Sequence, residues 1–324
     1  MSLHLTHVLQ AHRTITPFVR HPRALRSVYL SRLANGDVWL KLECHQPTGS
    51  FKVRGAVNKL RNLTAEQKQK GIVSASAGNH ALGIAYAAQV LGGIQADIFV
   101  PETAPRAKID KIGRFNINLH LEGQSYADAH EAATEFAQER DALEIEAYND
   151  PEIIAGQGTV GLEVLTDLPQ TSSIFVPVGG GGLIAGVAIA AHGMNPGCRV
   201  IGVQPEASPA ARLSLRDGIA YDPYDHEPTI ADGLAGGFGS VPFALAHDQI
   251  HDIMLASESD LRRAILTLLD QEQLIVEASG AIAIAPILRG EVDLHGGTAV
   301  CILSGANLDT TLLRDILVEF TADE

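Results

Sequence analysis

Cysteine and tryptophan are scarce in this 324-residue chain, which has three cysteines and one tryptophan. Cys44, Cys198 and Cys301 lie far apart and form no CxxC motif, so the sequence indicates neither a disulfide framework nor a zinc knuckle. Few and isolated cysteines are typical of proteins from a reducing compartment. We therefore expect a cytoplasmic protein.

Positive charge and long apolar runs are also lacking. The chain has 24 Lys plus Arg and 38 Asp plus Glu, a net charge of −14, so it would repel a nucleic acid. Residues 1–20 lack the uninterrupted apolar stretch of a signal peptide, and the longest apolar run, 183–191, is too short to cross a bilayer. A hydrophobic fraction of 46% instead fits a folded globular protein that has no membrane partner.

Short apolar runs alternate with longer segments of helical periodicity, and this alternation predicts an α/β fold with parallel sheets covered by helices. The predicted strands are residues 38–43, 72–75, 96–100, 118–121, 173–178, 199–203 and 298–303. The predicted helices are residues 53–63, 80–91, 106–112, 126–140, 183–192, 258–273 and 281–288. Residues 216–243 are rich in Gly, Pro and Asp, which favours a long loop, either near a site or on a plain surface.

Lys52 lies between the turn-forming residues 47–50 and an apolar helix start. Partial burial at such a junction lowers the pKa of an amine, which a Schiff-base lysine needs in order to be a free nucleophile at neutral pH. A helix-start lysine that points at water would give the same local pattern.

The loop Ser76-Ala77-Gly78-Asn79-His80 follows a predicted strand and opens a helix. Its small residues would let backbone amides approach a carboxylate or phosphate at the helix N-terminus. Helix capping by Ser76 or Asn79 is the alternative explanation. Ser304 also follows a predicted strand, where open α/β sheets place ligand contacts, although an ordinary turn residue would occur there too.

Four consecutive glycines, Gly179, Gly180, Gly181 and Gly182, connect a predicted strand to a predicted helix that begins near Leu183. Their backbone amides could wrap a phosphate. Residues 180–185 also match the permissive G-x-G-x-x-A fingerprint of dinucleotide-binding proteins, with Glu206 as a distant acidic partner. The glycine run alone therefore leaves open a phosphate cradle, a dinucleotide site and a flexible turn.

Taken together, these motifs resemble those of the fold-type II pyridoxal-phosphate enzymes (tryptophan synthase β-like), and within them the threonine/serine dehydratase (ammonia-lyase) and serine racemase group. The resemblance spans residues 40–309 and includes segments 155–159, 231–234 and 277–281. It implies two open parallel-sheet α/β domains, a small one of residues 71–140 and a large one of residues 1–70 plus 141–324. It also implies a homodimer or higher homo-oligomer, and pyridoxal 5'-phosphate as the cofactor.

The resemblance assigns a role to each matching residue. Lys52 would be the catalytic residue, because it would hold the cofactor covalently and then remove the substrate α-proton. The residues that would bind the cofactor are Phe51, Lys52, Asn79, Gly179, Gly180, Gly181, Gly182, Leu183, Gly233, Glu277 and Ser304. The substrate carboxylate would bind Ser76, Ala77, Gly78, Asn79 and His80. No metal site is expected, since Gln204 and Ala210 stand where metal-binding members have acidic residues; Glu206 in a shifted geometry is the alternative.

The reaction that the resemblance implies is the dehydration and deamination of a 3-hydroxy amino acid, first L-threonine or L-serine, to a 2-oxo acid and ammonia. Serine racemases carry their second base at the position of Ala77, so racemisation is expected to be minor. A dehydratase of 3-hydroxyaspartate, of phenylserine or of hydroxyectoine breakdown, or a serine racemase, remains an alternative. A nicotinamide-dependent (NAD) oxidoreductase and a non-enzymatic amino-acid sensor are the alternatives from other classes.

Overall fold

The computed structural model describes residues 2–321, in which ten strands form two sheets. The larger sheet has the strand order β1-β2-β10-β7-β8-β9, and all its neighbouring strands are parallel except the edge strand β1, which is antiparallel to β2. Its strands are β1 (Ala24–Ser27), β2 (Asp37–Lys41), β7 (Ser173–Pro177), β8 (Arg199–Pro205), β9 (Asp252–Ala256) and β10 (Thr298–Ile302). Every residue of β7 and β10 is buried, as expected for strands covered on both faces.

The smaller sheet has four strands, all parallel, in the order β5-β4-β3-β6. These strands are β3 (Ile72–Ala75), β4 (Ala96–Val100), β5 (Asn118–Leu121) and β6 (Leu143–Glu144). Strand β6 pairs with β3 although it follows residue 140, where the predicted small domain ends. The division of the chain into two domains stays a prediction.

Helices cover both sheets. They are α1 (Leu5–Ile15), α2 (Val28–Leu33), α3 (Lys52–Arg61), α4 (Ala65–Lys70), α5 (Asn79–Leu91), α6 (Arg106–Ile112), α7 (Tyr126–Arg140), α8 (Pro151–Asp167), α9 (Gly182–Met194), α10 (Ala210–Asp217), α11 (Ser240–Ala246), α12 (Glu258–Glu272), α13 (Ala278–Ala281), α14 (Ala285–Leu288) and α15 (Thr310–Thr321). No helix within residues 2–321 is long and apolar enough to span a membrane.

Helix α3 is anchored by a buried ionic cluster, which we define as Arg54, Lys41, Glu43 and Glu163. Arg54 Nε donates to Glu43 Oε2 at 2.7 Å, and Arg54 Nη1 donates to Glu163 Oε1 at 2.7 Å. Lys41 Nζ donates to Glu163 Oε2 at 2.6 Å. Two buried cations therefore face two buried carboxylates, where solvent screening is weak, and these contacts hold α3 to β2 and α8 near its first residue, Lys52.

The predicted elements agree with most of the structure. Strands 72–75, 96–100 and 118–121 and helices 106–112 and 126–140 are confirmed at both ends, and the other predicted strands are confirmed within two residues at each end. Residues 216–243 are largely irregular between α10 and α11, as predicted, apart from a 3-10 turn at Asp232–Leu234.

One predicted helix is wrong, and several elements were missed. Residues 281–288 do not form one helix: α13 ends at Ala281, a 3-10 turn follows, and α14 begins at Ala285. Pro286 lacks an N–H group and cannot continue an α-helix from the residues before it. The sequence patterns also missed the strands β1, β6 and β9 and the helices α1, α2, α4, α8, α10, α11 and α15. In the long helix α8, Gly156, Gly158 and Gly161 lower the intrinsic helix propensity.

Candidate active site

The predicted site segments follow the carboxyl ends of parallel strands or begin helices. The loop 76–78 follows β3, the glycine run follows β7, and Ser304 follows β10. Lys52 is the first residue of α3. The turn before it reaches the Ser304 segment through a β-bridge between Ser50 and Gly305, so the topology brings Lys52 to the edge of the larger sheet where ligands of open α/β folds bind.

Lys52 is half-buried and has no carboxylate partner in residues 2–321. Its Nζ donates to the backbone oxygen of Ala147 at 3.1 Å and lies 5.4 Å from the centroid of the Phe51 ring. Burial lowers the pKa of Lys52 to about 8, because the ammonium form loses hydration that no anion replaces. A substantial fraction of this amine is therefore unprotonated near neutral pH, as a nucleophile or a base requires.

His80 lies close to Lys52 and is buried. Burial and the neighbouring Lys52 charge lower the pKa of His80 to about 3, so its ring is neutral at physiological pH. Its Nε2 is 3.1 Å from the backbone oxygen of Ile145 and must carry the ring proton, since a carbonyl only accepts. His80 therefore shapes this region without adding a positive charge.

The glycine run forms an anion-binding loop at the start of the 13-residue helix α9. The N–H groups of Gly179, Gly180, Gly181 and Gly182 donate to no other group within residues 2–321. Gly181 has a φ of +92°, and a Cβ there would overlap the ring of the buried Phe238. Four free amides beside a helix N-terminus fit a phosphate, and Leu183 is buried in the first turn behind them.

Ser304 and Gly233 are linked to the site through Ser279. Gly233 N donates to Ser279 Oγ at 3.0 Å, and Ser304 Oγ donates to the Ser279 backbone oxygen at 3.4 Å. The Ser304 backbone oxygen accepts from Phe51 N at 3.0 Å, next to Lys52. A Cβ on Gly179 would lie 3.0 Å from the Gly233 oxygen, so these residues and the glycine loop are neighbours.

Asn79 and Glu277 form a direct contact: Asn79 Nδ2 donates to Glu277 Oε1 at 2.6 Å. Burial raises the pKa of Glu277 to about 7, and the hydrogen bond from Asn79 partly opposes this shift. A Cβ at Gly305 would overlap Glu277 Oε1. The glycine after Ser304 therefore makes room for this carboxyl group.

The structure joins most of the predicted site residues, but not all of them. Ser76, Ala77 and Gly78 are half-buried and make no hydrogen bond to the other predicted residues within the described chain; Ser76 Oγ accepts from Gly78 N at 3.2 Å. Their predicted substrate role stays a prediction. Among residues 2–321, no group of three or more His, Cys, Asp or Glu side chains could hold a metal ion. Gln204 instead accepts from the N–H groups of Ala211 and Arg212 in α10.

Sequence reasoning missed the contacts of Tyr148. A Cβ on Gly180 would overlap its ring, and a Cβ on Gly239 would lie 2.8 Å from the same ring. The Tyr148 hydroxyl donates to Asp222 Oδ1 at 3.3 Å, and Asn149 Nδ2 donates to Asp222 Oδ2 at 3.2 Å. Nothing in the local sequence around Tyr148 and Asn149 indicated their distant partner Asp222.

These features fit pyridoxal phosphate, which needs an unpaired amine and a phosphate-binding loop within one site. Residues 10–305 match the family model described as pyridoxal-phosphate dependent enzyme, and the chain belongs to this family. It is an enzyme of the fold-type II class, as the sequence motifs indicated, and it depends on pyridoxal phosphate. The dinucleotide interpretation of the glycine run is therefore not supported.

Individual relatives within this family indicate its activity more narrowly than the family model does. The chain is 40% identical to the L-threonine ammonia-lyase of Thermotoga maritima over 97% of its own length and 78% of that protein's. The structure is similar to the processed form of threonine deaminase isoform 2 from Solanum lycopersicum, with a TM-score of 0.89 and 33% identity over 97% of this chain and 87% of that one. It is also similar to maize serine racemase, with a TM-score of 0.90 and 29% identity over 100% and 99% of the two chains.

Proposed function

We propose that this enzyme is an ammonia-lyase that converts a 3-hydroxy amino acid, first L-threonine and then L-serine, to a 2-oxo acid and ammonia. The observation that carries the proposal is Lys52, an amine of lowered pKa without an ion-pair partner, in the same site as the unpaired amides of the glycine loop. The L-threonine ammonia-lyase of Thermotoga maritima, 40% identical over nearly the whole chain, supports this substrate class.

We propose the following roles for the residues of the site. Lys52 would bind the cofactor, the amides of Gly179 to Gly182 would hold its phosphate, and Asn79 and Ser304 would orient its ring. Bound pyridoxal phosphate supplies an aldehyde for amines and a conjugated ring that withdraws electrons from the substrate Cα. Lys52 Nζ, when unprotonated, would accept the α-proton of the substrate. Because the Ser304 hydroxyl is neutral, it would give little stabilisation to a positive charge on the cofactor ring, and this would favour loss of the β-hydroxyl. The proton removed from Cα and the departing hydroxide together account for the water released.

Ala77 argues against racemisation as the main reaction. Its methyl group offers no proton to the substrate, so a base on the opposite side of Cα is lacking at that position. The similarity to maize serine racemase keeps this reaction as the alternative. We further propose a cytoplasmic homodimer or higher homo-oligomer, since the three cysteines are buried and form no disulfide and the family resemblance implies an oligomer.

The test is a substrate panel on the purified enzyme with pyridoxal phosphate. L-threonine, L-serine, 3-hydroxyaspartate and phenylserine are supplied separately, released 2-oxo acid is assayed, and D-serine is measured by chiral chromatography. We expect the highest turnover with L-threonine, and loss of turnover in Lys52→Ala but not in Lys68→Ala. Full turnover by Lys52→Ala, or D-serine as the main product, would contradict the proposal.

A further inference from the structure

We propose that Asn307 is a positioning residue that fixes the orientation of the Asn79 amide. Asn307 Nδ2 donates to Asn79 Oδ1 at 2.6 Å, and Asn79 Nδ2 donates to Glu277 Oε1 at 2.6 Å. Both ends of the Asn79 amide are therefore engaged by side chains from distant parts of the sequence. The proposal rests on the role of Asn79 in holding the cofactor, as proposed above.

The orientation of Asn307 is set by two groups of fixed polarity. Lys111 Nζ, which only donates, is 3.4 Å from Asn307 Oδ1. The backbone oxygen of Thr48, which only accepts, receives Asn307 Nδ2 at 3.0 Å. The amide oxygen of Asn307 must therefore face Lys111, and its NH₂ group must face Thr48 and Asn79.

The orientation of the Asn307 amide in turn determines the orientation of the Asn79 amide. With the Asn307 NH₂ group against it, Asn79 must present its oxygen there and turn its own NH₂ group toward Glu277. A carboxylate accepts readily, so the chain of donors runs in one direction from Lys111 to Glu277. One hydrogen of the Asn79 NH₂ group is used by Glu277, and the second is free to donate to an oxygen of the cofactor.

Packing holds Asn307 against the turn that precedes Lys52. Gly49 has a φ of +75°, and a Cβ built on it would lie 3.1 Å from Asn307 Oδ1. Ala306 N donates to the Gly49 oxygen at 2.8 Å. Asn307 thus contacts both the turn before Lys52 and Asn79, the first residue of α5. Through these two contacts it can fix the position of Asn79 relative to Lys52.

The experiment compares Asn307→Asp with Asn307→Ala. The Asp variant is nearly isosteric but places an acceptor against Asn79 Oδ1, whereas the Ala variant only removes the donor. The dissociation constant of pyridoxal phosphate, the pH dependence of its visible absorption band and the melting temperature of the apoenzyme are measured without substrate. We expect about tenfold weaker cofactor binding and a displaced absorption midpoint in Asn307→Asp, with a smaller change in Asn307→Ala.

Lys111→Met removes the first donor in this series of hydrogen bonds and keeps the experiment informative if an Asn307 variant does not fold. Lys68→Met, which alters another half-buried lysine, is the control. We expect a change in the same direction in Lys111→Met and none in Lys68→Met. Two outcomes would overturn the inference: equal effects of Asp and Ala at position 307, or a lower melting temperature with an unchanged absorption midpoint. Either would show that Asn307 only stabilises the fold. Since no substrate is used, an incorrect substrate class would not affect this result.

Discussion

The lowered pKa of Lys52 predicts selective chemical labelling of this residue in the apoenzyme. With a pKa of about 8, about a quarter of the Lys52 side chains are free amines at pH 7.5. A lysine of ordinary pKa, about 10.4, has about one free amine in a thousand at the same pH. Because only free amines react with an acylating reagent, the fraction of reactive Lys52 is about 200 times higher than that of an ordinary lysine.

Trace labelling of the apoenzyme with acetic anhydride, followed by peptide mass spectrometry, measures this difference. Lys59 is the internal comparison. Burial lowers the pKa of Lys59, but its contact with Asp150 at 2.7 Å opposes burial, and this pKa lies above the ordinary value. The chain has only seven lysines, so each can be followed separately. Labelling of Lys52 should rise with pH to a plateau with a midpoint near pH 8, while labelling of Lys59 should still be rising at pH 10.

The midpoint matters more than the rate, because half-burial of Lys52 also restricts access of the reagent. Access multiplies the rate at every pH by the same factor and leaves the midpoint where the pKa sets it. If the labelling of Lys52 rises through pH 10 in parallel with that of Lys59, the ammonium is not destabilised by burial, and the argument for a ready nucleophile is lost.

Three further perturbations follow from the same contacts. Gly181→Ala should weaken pyridoxal-phosphate binding in equilibrium dialysis, because a Cβ at a φ of +92° costs about 1–3 kcal/mol and would overlap Phe238; unchanged affinity would contradict the strained geometry. Arg54→Met should lower the free energy of unfolding in urea by about 3–5 kcal/mol, since Glu43 and Glu163 stay buried without this partner, and a loss below 1 kcal/mol would speak against the ionic cluster as an anchor. Burial raises the pKa of Glu277 from 4.5 to about 7, so its neutral form contributes stability that is complete below pH 4.5 and is lost as the pH rises through about 7. Apoenzyme melts should therefore lose less stability over this range in Glu277→Gln than in the wild type, and identical pH profiles would contradict the shift.

The sequence predicted those parts of the fold that depend on local patterns. Strands β3 and β4 are short apolar runs with turn residues on both sides, and the structure buries them between helices as the alternation required. Lys52 at a helix start and the glycine run after β7 were also visible, because their chemistry depends on neighbours in the chain. Helix α8 escaped detection since its glycines serve close packing: a Cβ on Gly156 would lie 2.6 Å from Gly55 Cα.

Contacts between distant segments could not be predicted in the same way. The hydrogen bond between Asn307 and Asn79 spans 228 positions. The buried partners Arg54 and Glu163 are separated by 109 positions, and each resembles an ordinary surface charge in its local sequence. Such pairs are set by tertiary packing, so a single sequence carries no periodicity or spacing that would reveal them.

The ring of Tyr148 fills the space left by the missing side chains of two glycines on separate loops, Gly180 and Gly239. Gly180 and Gly182 belong to the glycine run, and Gly239 precedes α11, yet a Cβ on any of the three would press on this one residue. At Gly180, where a Cβ would meet only atoms of the Tyr148 ring, a larger residue therefore requires a smaller one at position 148, whereas at Gly239 a Cβ would also overlap Asn149 Oδ1. A library of replacements at Gly180 should therefore vary position 148 at the same time, because single replacements there would overlap the Tyr148 ring.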